Sequence, residues 1–248
     1  FGTPGPTTLD KGSLTLGRSL DVPRVSRYDV DTETPRPEKL VLDLDTTVNG
    51  SPTDISGQGN HGTFYNGASY SGADKAFVFD GNSDYIRGVI GVNGSELNTS
   101  YTLSVWVKSD SSANDNAVFI FIGSSSTGDS IGFRHHNNVS SGGTEYRIYH
   151  FGVKDTSVTG QPSNLNQWRH LVAVYDGTNQ NIYVDGVFAG KEAAGSLGLP
   201  NNPTYSIGYR WNGGLAEEYF DGMISSPKVW SVALEPSEVR KLYRLGRT

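Results

Sequence analysis

Two stretches of the 248-residue chain gather side chains able to bind or transform a polar ligand. The first is Arg134-His135-His136, followed a short way on by Arg147, Tyr149 and His150. Its guanidiniums, imidazoles and phenol are groups that hydrogen-bond hydroxyls, move protons or hold anions. Strand alternation places Arg147 and Tyr149 on one face and Tyr146 and His150 on the other. The second stretch is Tyr209-Arg210-Trp211-Asn212-Gly213-Gly214, where a tryptophan adjoins a glycine-rich loop. A sugar stacks its apolar face on an exposed aromatic, while amides, carboxylates and guanidiniums take its hydroxyls. This chemistry makes His135, His136, Arg147, Tyr209, Arg210, Trp211 and Asn212 the candidate ligand-binding residues, on loops around 134–142 and 209–217. Each also has a structural reading: solvated polar surface for the histidines and hairpin packing for Trp211.

Composition narrows the partners. A formal charge of −6 supplies solubility and gives no basic stripe for nucleic-acid phosphates. No run of eighteen apolar residues is present to span a bilayer. With no cysteine, disulfides and thiolate metal sites are excluded. Asn49, Asn93, Asn98 and Asn138 match the N-glycosylation pattern, which chance produces readily in a chain rich in Asn, Ser and Thr. Phe1 opens the chain without a signal-like segment, so the sequence reads as processed, as a fragment, or as part of a larger polypeptide.

The elements that position these residues are short strands. The 31 glycines and 11 prolines punctuate runs of Val, Ile, Phe and Tyr. Residues 1–38 are Pro-rich and read as an extended arm or linker, with residues 39–248 as the folded domain. Strand signals begin at LVLDLD and continue through AFVFD, YIRGVI, YTLSVWVKS, AVFIFIG, SIGFRHH, EYRIYHFGV, HLVAVYD, QNIYVDGVFAG, TYSIGYRW and EYFDGMISSPKVW. In YTLSVWVKS, Leu103, Val105 and Val107 face one way, while Trp106 implies that the second face is also covered. The Asp185-Gly186 step favours a tight primed turn. Only LEPSEVRKLYRLG reads as helical, with Val239, Leu242 and Leu245 on one face and Gly246 as the stop. About a dozen strands without crossover helices predict two packed antiparallel sheets.

Five segments carry a family resemblance in a fixed order: Asp54-Ile55-Ser56-Gly57-Gln58-Gly59-Asn60-His61-Gly62-Thr63, Phe77 to Tyr85, Trp168 to Gly177, Ile182 to Gly186, and Phe220 to Ile224. Together they resemble the laminin-G-like branch of the concanavalin A-like lectin/glucanase superfamily over residues 40–245. The resemblance implies an all-β jelly-roll sandwich of two curved antiparallel sheets with a short C-terminal helix. It also implies a structural calcium between the first motif and the closing strand, held by Asp54, Gly59 and Asn60, with Asp221 the nearest acid. Calcium takes such hard oxygens, but Ser225 stands where the family pattern has a carboxylate. The alternative is that Asp54 caps its own turn.

The superfamily includes glycosidases and polysaccharide lyases, which raises catalysis. A retaining glycosidase needs carboxylates about 5–5.5 Å apart. The sequence offers only Asp43-x-Asp45 at the domain's start and the adjacent Glu217-Glu218, which point opposite ways in a strand. The basic and tyrosine residues imitate a lyase set without its order. The expectation is therefore a non-catalytic glycan-binding or adhesion module, extracellular or surface-exposed, whose partner is a carbohydrate or a neighbouring protein subunit. A structural protein of a matrix or virion, assembled as an oligomer or within a larger particle, and a divergent hydrolase or lyase are the alternatives.

Overall fold

The structure, a computed structural model, describes residues 8–10, 13–15, 34–47, 50–91, 94–110, 116–124, 126–136, 144–210 and 218–247. It comprises two units, Phe1–Glu33 and Thr34–Thr248. In the first, β1 (Thr8–Asp10) pairs antiparallel with β2 (Ser13–Thr15), Leu9 opposite Leu14. The rest of residues 1–33 lies outside the described residues. The end of the Pro-rich stretch belongs to the second unit: the Trp230 indole donates to the Pro35 carbonyl at 2.8 Å, and Arg36 pairs with Glu238 at 2.7 Å.

The second unit is a sandwich of two antiparallel sheets. One runs β15 (Val187–Ala193), β14 (Asn179–Val184), β13 (Arg169–Tyr175), β8 (Tyr101–Ser109), β19 (Asp221–Trp230), β6 (Ala76–Asp80), β5 (Ser69–Ser71), with β3 (Leu40–Asp43) also pairing β19. The other runs β12 (Lys154–Gln161), β11 (Thr144–His150), β10 (Ser130–His136), β9 (Val118–Gly123), β16 (Thr204–Ile207), β7 (Tyr85–Val89), β4 (Thr63–Tyr65). A two-stranded ladder joins β17 (Tyr209–Arg210) to β18 (Glu218–Tyr219). The expected jelly-roll sandwich is the architecture observed.

Alternation explains the layers. Leu103, Val105 and Val107 of β8 meet Ile120, Ile122, Phe133 and Ile148 of the opposing sheet in one core. Full burial of each such side chain stabilises by about 1.5–3 kcal/mol. The two-residue turn between β14 and β15 has both φ angles positive (50° at Asp185, 76° at Gly186), the primed geometry that matches strand twist. The outer face of the eight-stranded sheet is covered by a helix, which we call α2 (Pro236–Leu245). Val239 and Leu242 of α2 pack with Leu40, Val172, Val174, Tyr183 and Trp230. Trp106 packs with His170 (5.0 Å) and Tyr243 (5.7 Å) in a three-ring cluster, so the second face of β8 is covered as its sequence implied.

Several of the described elements were not expected. The short β4 and β5 and the polar β12 carry few apolar residues: β12 buries only Thr156 and Val158, as an edge strand requires. A six-residue helix, α1 (Gly94–Thr99), adds to the single helix expected. At that length no 3.6-residue periodicity can register.

Candidate ligand-binding face

No helix covers the outer face of the seven-stranded sheet among the described residues, and the polar groups collect there. Its β10 side chains alternate strictly: Ile131 and Phe133 point into the core, while Arg134 and His136 point out. The same alternation corrects one expectation. His135 belongs to the inward set, 3% exposed and packed against Phe119 (5.6 Å) and Phe220 (6.3 Å), so it is not presented to a ligand. His150 also faces in, hydrogen-bonded to the Tyr101 hydroxyl (3.0 Å) and the Gly195 carbonyl (2.9 Å), and burial lowers its pKa.

Arg147 faces out but is fully engaged. It donates to Ser157 Oγ (2.9 Å), Asp155 (3.1 Å) and Glu145 (2.9 Å), and contacts His136 Nδ1 at 3.2 Å. Burial raises the Glu145 carboxyl, yet the Ser157 and Arg147 hydrogen bonds outweigh it and hold it below its ordinary value. These five residues form a structural brace at one side of the face.

Beside it lies a second cluster. Tyr149 lies across Gly132 of the neighbouring strand, where a Cβ would fall 1.9 Å from the ring's Cζ; only glycine permits that approach. The Arg134 and Arg210 guanidiniums sit 5.0 and 5.4 Å from the Tyr149 ring centre, and Arg210 lies 4.4 Å over Phe151. Both arginines donate to one carboxylate, Glu218, at 2.9 and 3.1 Å. Arg134, Tyr149, Phe151 and Arg210 line a depression of about 400 Å³ together with Lys154 and Asp155. Burial pushes the Tyr149 phenol well above its ordinary pKa, so it stays a neutral donor.

Across Phe121 the face continues into a cavity of about 330 Å³, bounded by Tyr85, Arg87, Phe121, Ser206 and Tyr209. Tyr209 is part of a ring column in which Tyr65, Tyr85, Tyr209 and Tyr219 stack at successive spacings of 4.7, 4.8 and 4.7 Å. Arg87 is exposed and also lines a third depression of about 460 Å³ with Gly59, His61 and Tyr65. Strands lie about 4.8 Å apart, so this succession from β4 to β11 is a groove on the order of 24 Å long.

The structure therefore brings Arg210, Tyr209, His136 and Arg147 to one face and removes His135 from it. Trp211 and Asn212 lie outside the described residues, as does the 137–143 segment. Sequence reasoning did not select Arg87, Phe121, Tyr85 or Phe151; strand alternation carries the signal for the first three.

The residues expected to hold calcium do not fit one. Asp54 Oδ1 accepts from the backbone N–H groups of Asp43 (2.9 Å) and Ser56 (3.0 Å). Its Oδ2 accepts from Ser56 Oγ (2.9 Å) and the Asn60 N–H (2.8 Å). Asn60 donates to the Val41 carbonyl (2.6 Å) and accepts from the Gly91 N–H (2.8 Å). Gly59 instead lines the third depression. Asp221 is on the strand whose Lys228 faces Asp43, and at about 3.3 Å per residue it stands roughly 20 Å away. The cation held at Asp43 is the Lys228 ammonium, 2.5 and 2.6 Å from the two carboxylate oxygens. Among the described residues no three His, Cys, Asp or Glu side chains converge on a metal-sized gap.

Comparison with known proteins agrees with the fold. A family model of laminin G type, described as the concanavalin A-like lectin/glucanases superfamily, matches residues 80–240, well over half of the chain. No curated protein matches it in sequence. Among solved structures, the receptor binding domain of botulinum neurotoxin C/D mosaic serotype aligns with a TM-score of 0.65 at 14% identity, over 84% of this chain and 51% of that one. Domain 4 of an extracellular arabinanase from Geobacillus stearothermophilus, solved in complex with arabinotriose, aligns with a TM-score of 0.61 at 21% identity, over 83% and 98%. The ligand binding domain of botulinum neurotoxin serotype D, in complex with N-acetylneuraminic acid, gives 0.64 at 13%, over 84% and 51%. The chain thus spans about half the length of the toxin domains it resembles. At these identities the likeness is one of fold.

Proposed function

The chain belongs to the concanavalin A-like lectin/glucanases superfamily, and from that premise we propose that it is a non-catalytic glycan-binding module, exposed at a surface, whose ligand lies in the groove across the seven-stranded sheet. The observation that carries this reading is the 330 Å³ cavity of Tyr85, Phe121 and Tyr209, where aromatic walls meet the Ser206 hydroxyl and the Arg87 guanidinium. Apolar walls with a few convergent polar groups are what a sugar needs: C–H faces pack on rings while hydroxyls find donors and acceptors. Arabinotriose and N-acetylneuraminic acid on two structural neighbours are in keeping with that class of ligand.

The absence of turnover is supported by the state of the carboxylates. Asp43 is paired with Lys228, Asp45 accepts from the Thr47 N–H and hydroxyl, and Glu218 is bound by Arg134 and Arg210. None of these is poised as an acid–nucleophile pair. A lyase base would have to surrender a proton, which burial makes harder for the Tyr149 phenol.

A glycan array followed by titration calorimetry tests the proposal, with Arg87→Ala as the probe variant. Arg87 is exposed, and losing its hydrogen bonds to a ligand should weaken binding about 5- to 30-fold while the fold is unaffected. A folded domain that binds no glycan, or one whose binding ignores Arg87→Ala, would sink it. One observation favours a second reading, protein–protein contact: Val187 and Phe188 on the edge strand β15 are 68% and 51% exposed. Self-association abolished by Val187→Asp would support that reading.

A further inference from the structure

Resting on the glycan-binding reading, we propose that the depression formed by Arg134, Tyr149, Phe151 and Arg210 is a subsite for an acidic sugar, one bearing a carboxylate or sulfate oxyanion. Three features point to this chemistry.

The first is burial of charge. The side chains of Arg134 and Arg210 are only 9% and 5% exposed, and both direct a donor at Glu218. Holding guanidiniums away from water is costly unless acceptors surround them. The second is a pair of donors without acceptors: Arg134 Nε and the Tyr149 hydroxyl are both buried with no hydrogen-bond partner. The residues that carry them both line the same depression. An unmet buried donor is rare in a folded protein and marks a place where something else completes the bond.

The third is the kind of bond that is missing. A guanidinium has donors only, and burial keeps the Tyr149 phenol protonated. A ligand that satisfies both must bring lone pairs. A carboxylate or sulfate brings several and carries no donor, whereas a neutral hydroxyl adds a donor of its own. Lys154 also lines the depression, tied to Glu192 by a pair in which both side chains are about two-fifths exposed, so it is free to swing toward an incoming anion. Phe151, one face of whose ring carries the Arg210 guanidinium, adds an apolar edge to the lining beside the charge.

The subsite also has a fixed place relative to the neutral cavity. Phe121, Gly132 and Tyr149 are directly opposite one another on β9, β10 and β11. Two strand spacings, on the order of 10 Å, therefore separate the two depressions. A single oligosaccharide reaches both, with its acidic unit at the arginines and a neutral unit at the tyrosines.

Calorimetry on the full chain at pH 7 and constant ionic strength tests this with four probes. They are a hyaluronan hexasaccharide, the same sugar with its carboxyls reduced to alcohols, a chondroitin sulfate hexasaccharide, and neutral chitohexaose. The uronate should bind at least about 10-fold tighter than its reduced counterpart, the worth of one charge-assisted hydrogen-bond set. Arg134→Gln should erase that preference. Tyr149→Phe, which removes a hydroxyl that has no partner in the free protein, should weaken uronate binding while leaving the melting temperature unchanged or raised; a purely structural tyrosine would not behave so. Tighter, Arg134-dependent binding of the sulfated probe would support the oxyanion subsite with sulfate as its source. Equal affinity for the uronate and its reduced form, or an acidic preference that survives Arg134→Gln, overturns the subsite. If chitohexaose binds and is lost in Arg87→Ala without any acidic preference, the subsite falls and the glycan reading stands. If no probe binds, both fall.

Discussion

Acid should destabilise this domain through His170, and the size of the effect follows from where that ring sits. His170 is 1% exposed, packed against both Trp106 and Tyr243, with Nε2 2.9 Å from Ser104 Oγ. Burial lowers its pKa from 6.5 to about 3. Between those values the unfolded chain binds a proton that the folded chain refuses, so stability rises with pH there and is lost as pH falls. From pH 7 to pH 5 the loss is about 2 kcal/mol, since each unit of separation is worth about 1.4 kcal/mol. For a domain of this size that is about 4–8 °C in melting temperature. The assay is urea unfolding at pH 7, 6 and 5 on the native chain and on His170→Gln, which cannot titrate and can still meet Ser104. The quantity compared is the change with pH, so carboxylates such as Asp80, held low by the N–H groups of Ser83 and Asn82, cancel between the two proteins. So does His150, whose pKa burial also lowers. Parallel pH dependences for the two proteins would refute the reasoning, because they would mean that His170 is protonated as readily folded as unfolded.

Three further outcomes are expected. Lys228→Met leaves Asp43 buried without its ammonium and should cost about 3–5 kcal/mol in urea unfolding, most of it recovered when Asp43→Leu is added. Chelation by EDTA should move the melting temperature by less than about 1 °C, because Asp54 and Asn60 are satisfied by the chain itself and an ion bound only by the folded state would have to stabilise it. Gly132→Ala drives a methyl into the Tyr149 ring and should cost about 1–3 kcal/mol by thermal melt, a penalty that shrinks in a Tyr149→Ala background.

The layers of the sandwich were legible because alternation is local. Leu103, Val105 and Val107 declare a core face within one strand, and Trp106 declares that the other face is covered. The turn at Asp185-Gly186 and the helix ending at Gly246 were equally readable, since each depends on neighbouring residues alone. Among the elements missed are some with little apolar content: β4, β5 and β12 exist because neighbouring strands supply their hydrogen bonds, and α1 is fixed by Leu97 in the core and by Asn98 bonded to the Leu199 backbone.

The candidate site divides along the same line, and His135 shows how. The strand signal SIGFRHH already ran to His136, and assigning both histidines to a ligand loop left its alternation out of account; pairing of His136 with Glu145 keeps β10 extended, and the period of two sends His135 inward. Counting alternation from Phe133 corrects the assignment. Other features had no local signal. Arg134 and Glu218 are 84 positions apart and meet because β10 and the β17–β18 ladder adjoin. The Tyr149 ring lies flat because the residue opposite is Gly132, a fact of register between strands. Asp54 was readable as either an ion ligand or a cap; what decides is that Asp43 and Asn60 both present N–H groups to it. The sheet left uncovered by α2 is thus also the sheet whose outward side chains are least explained by packing. Its unmet donors at Arg134 and Tyr149 are a property that only the assembled register creates, and they make that face the place to look for a ligand.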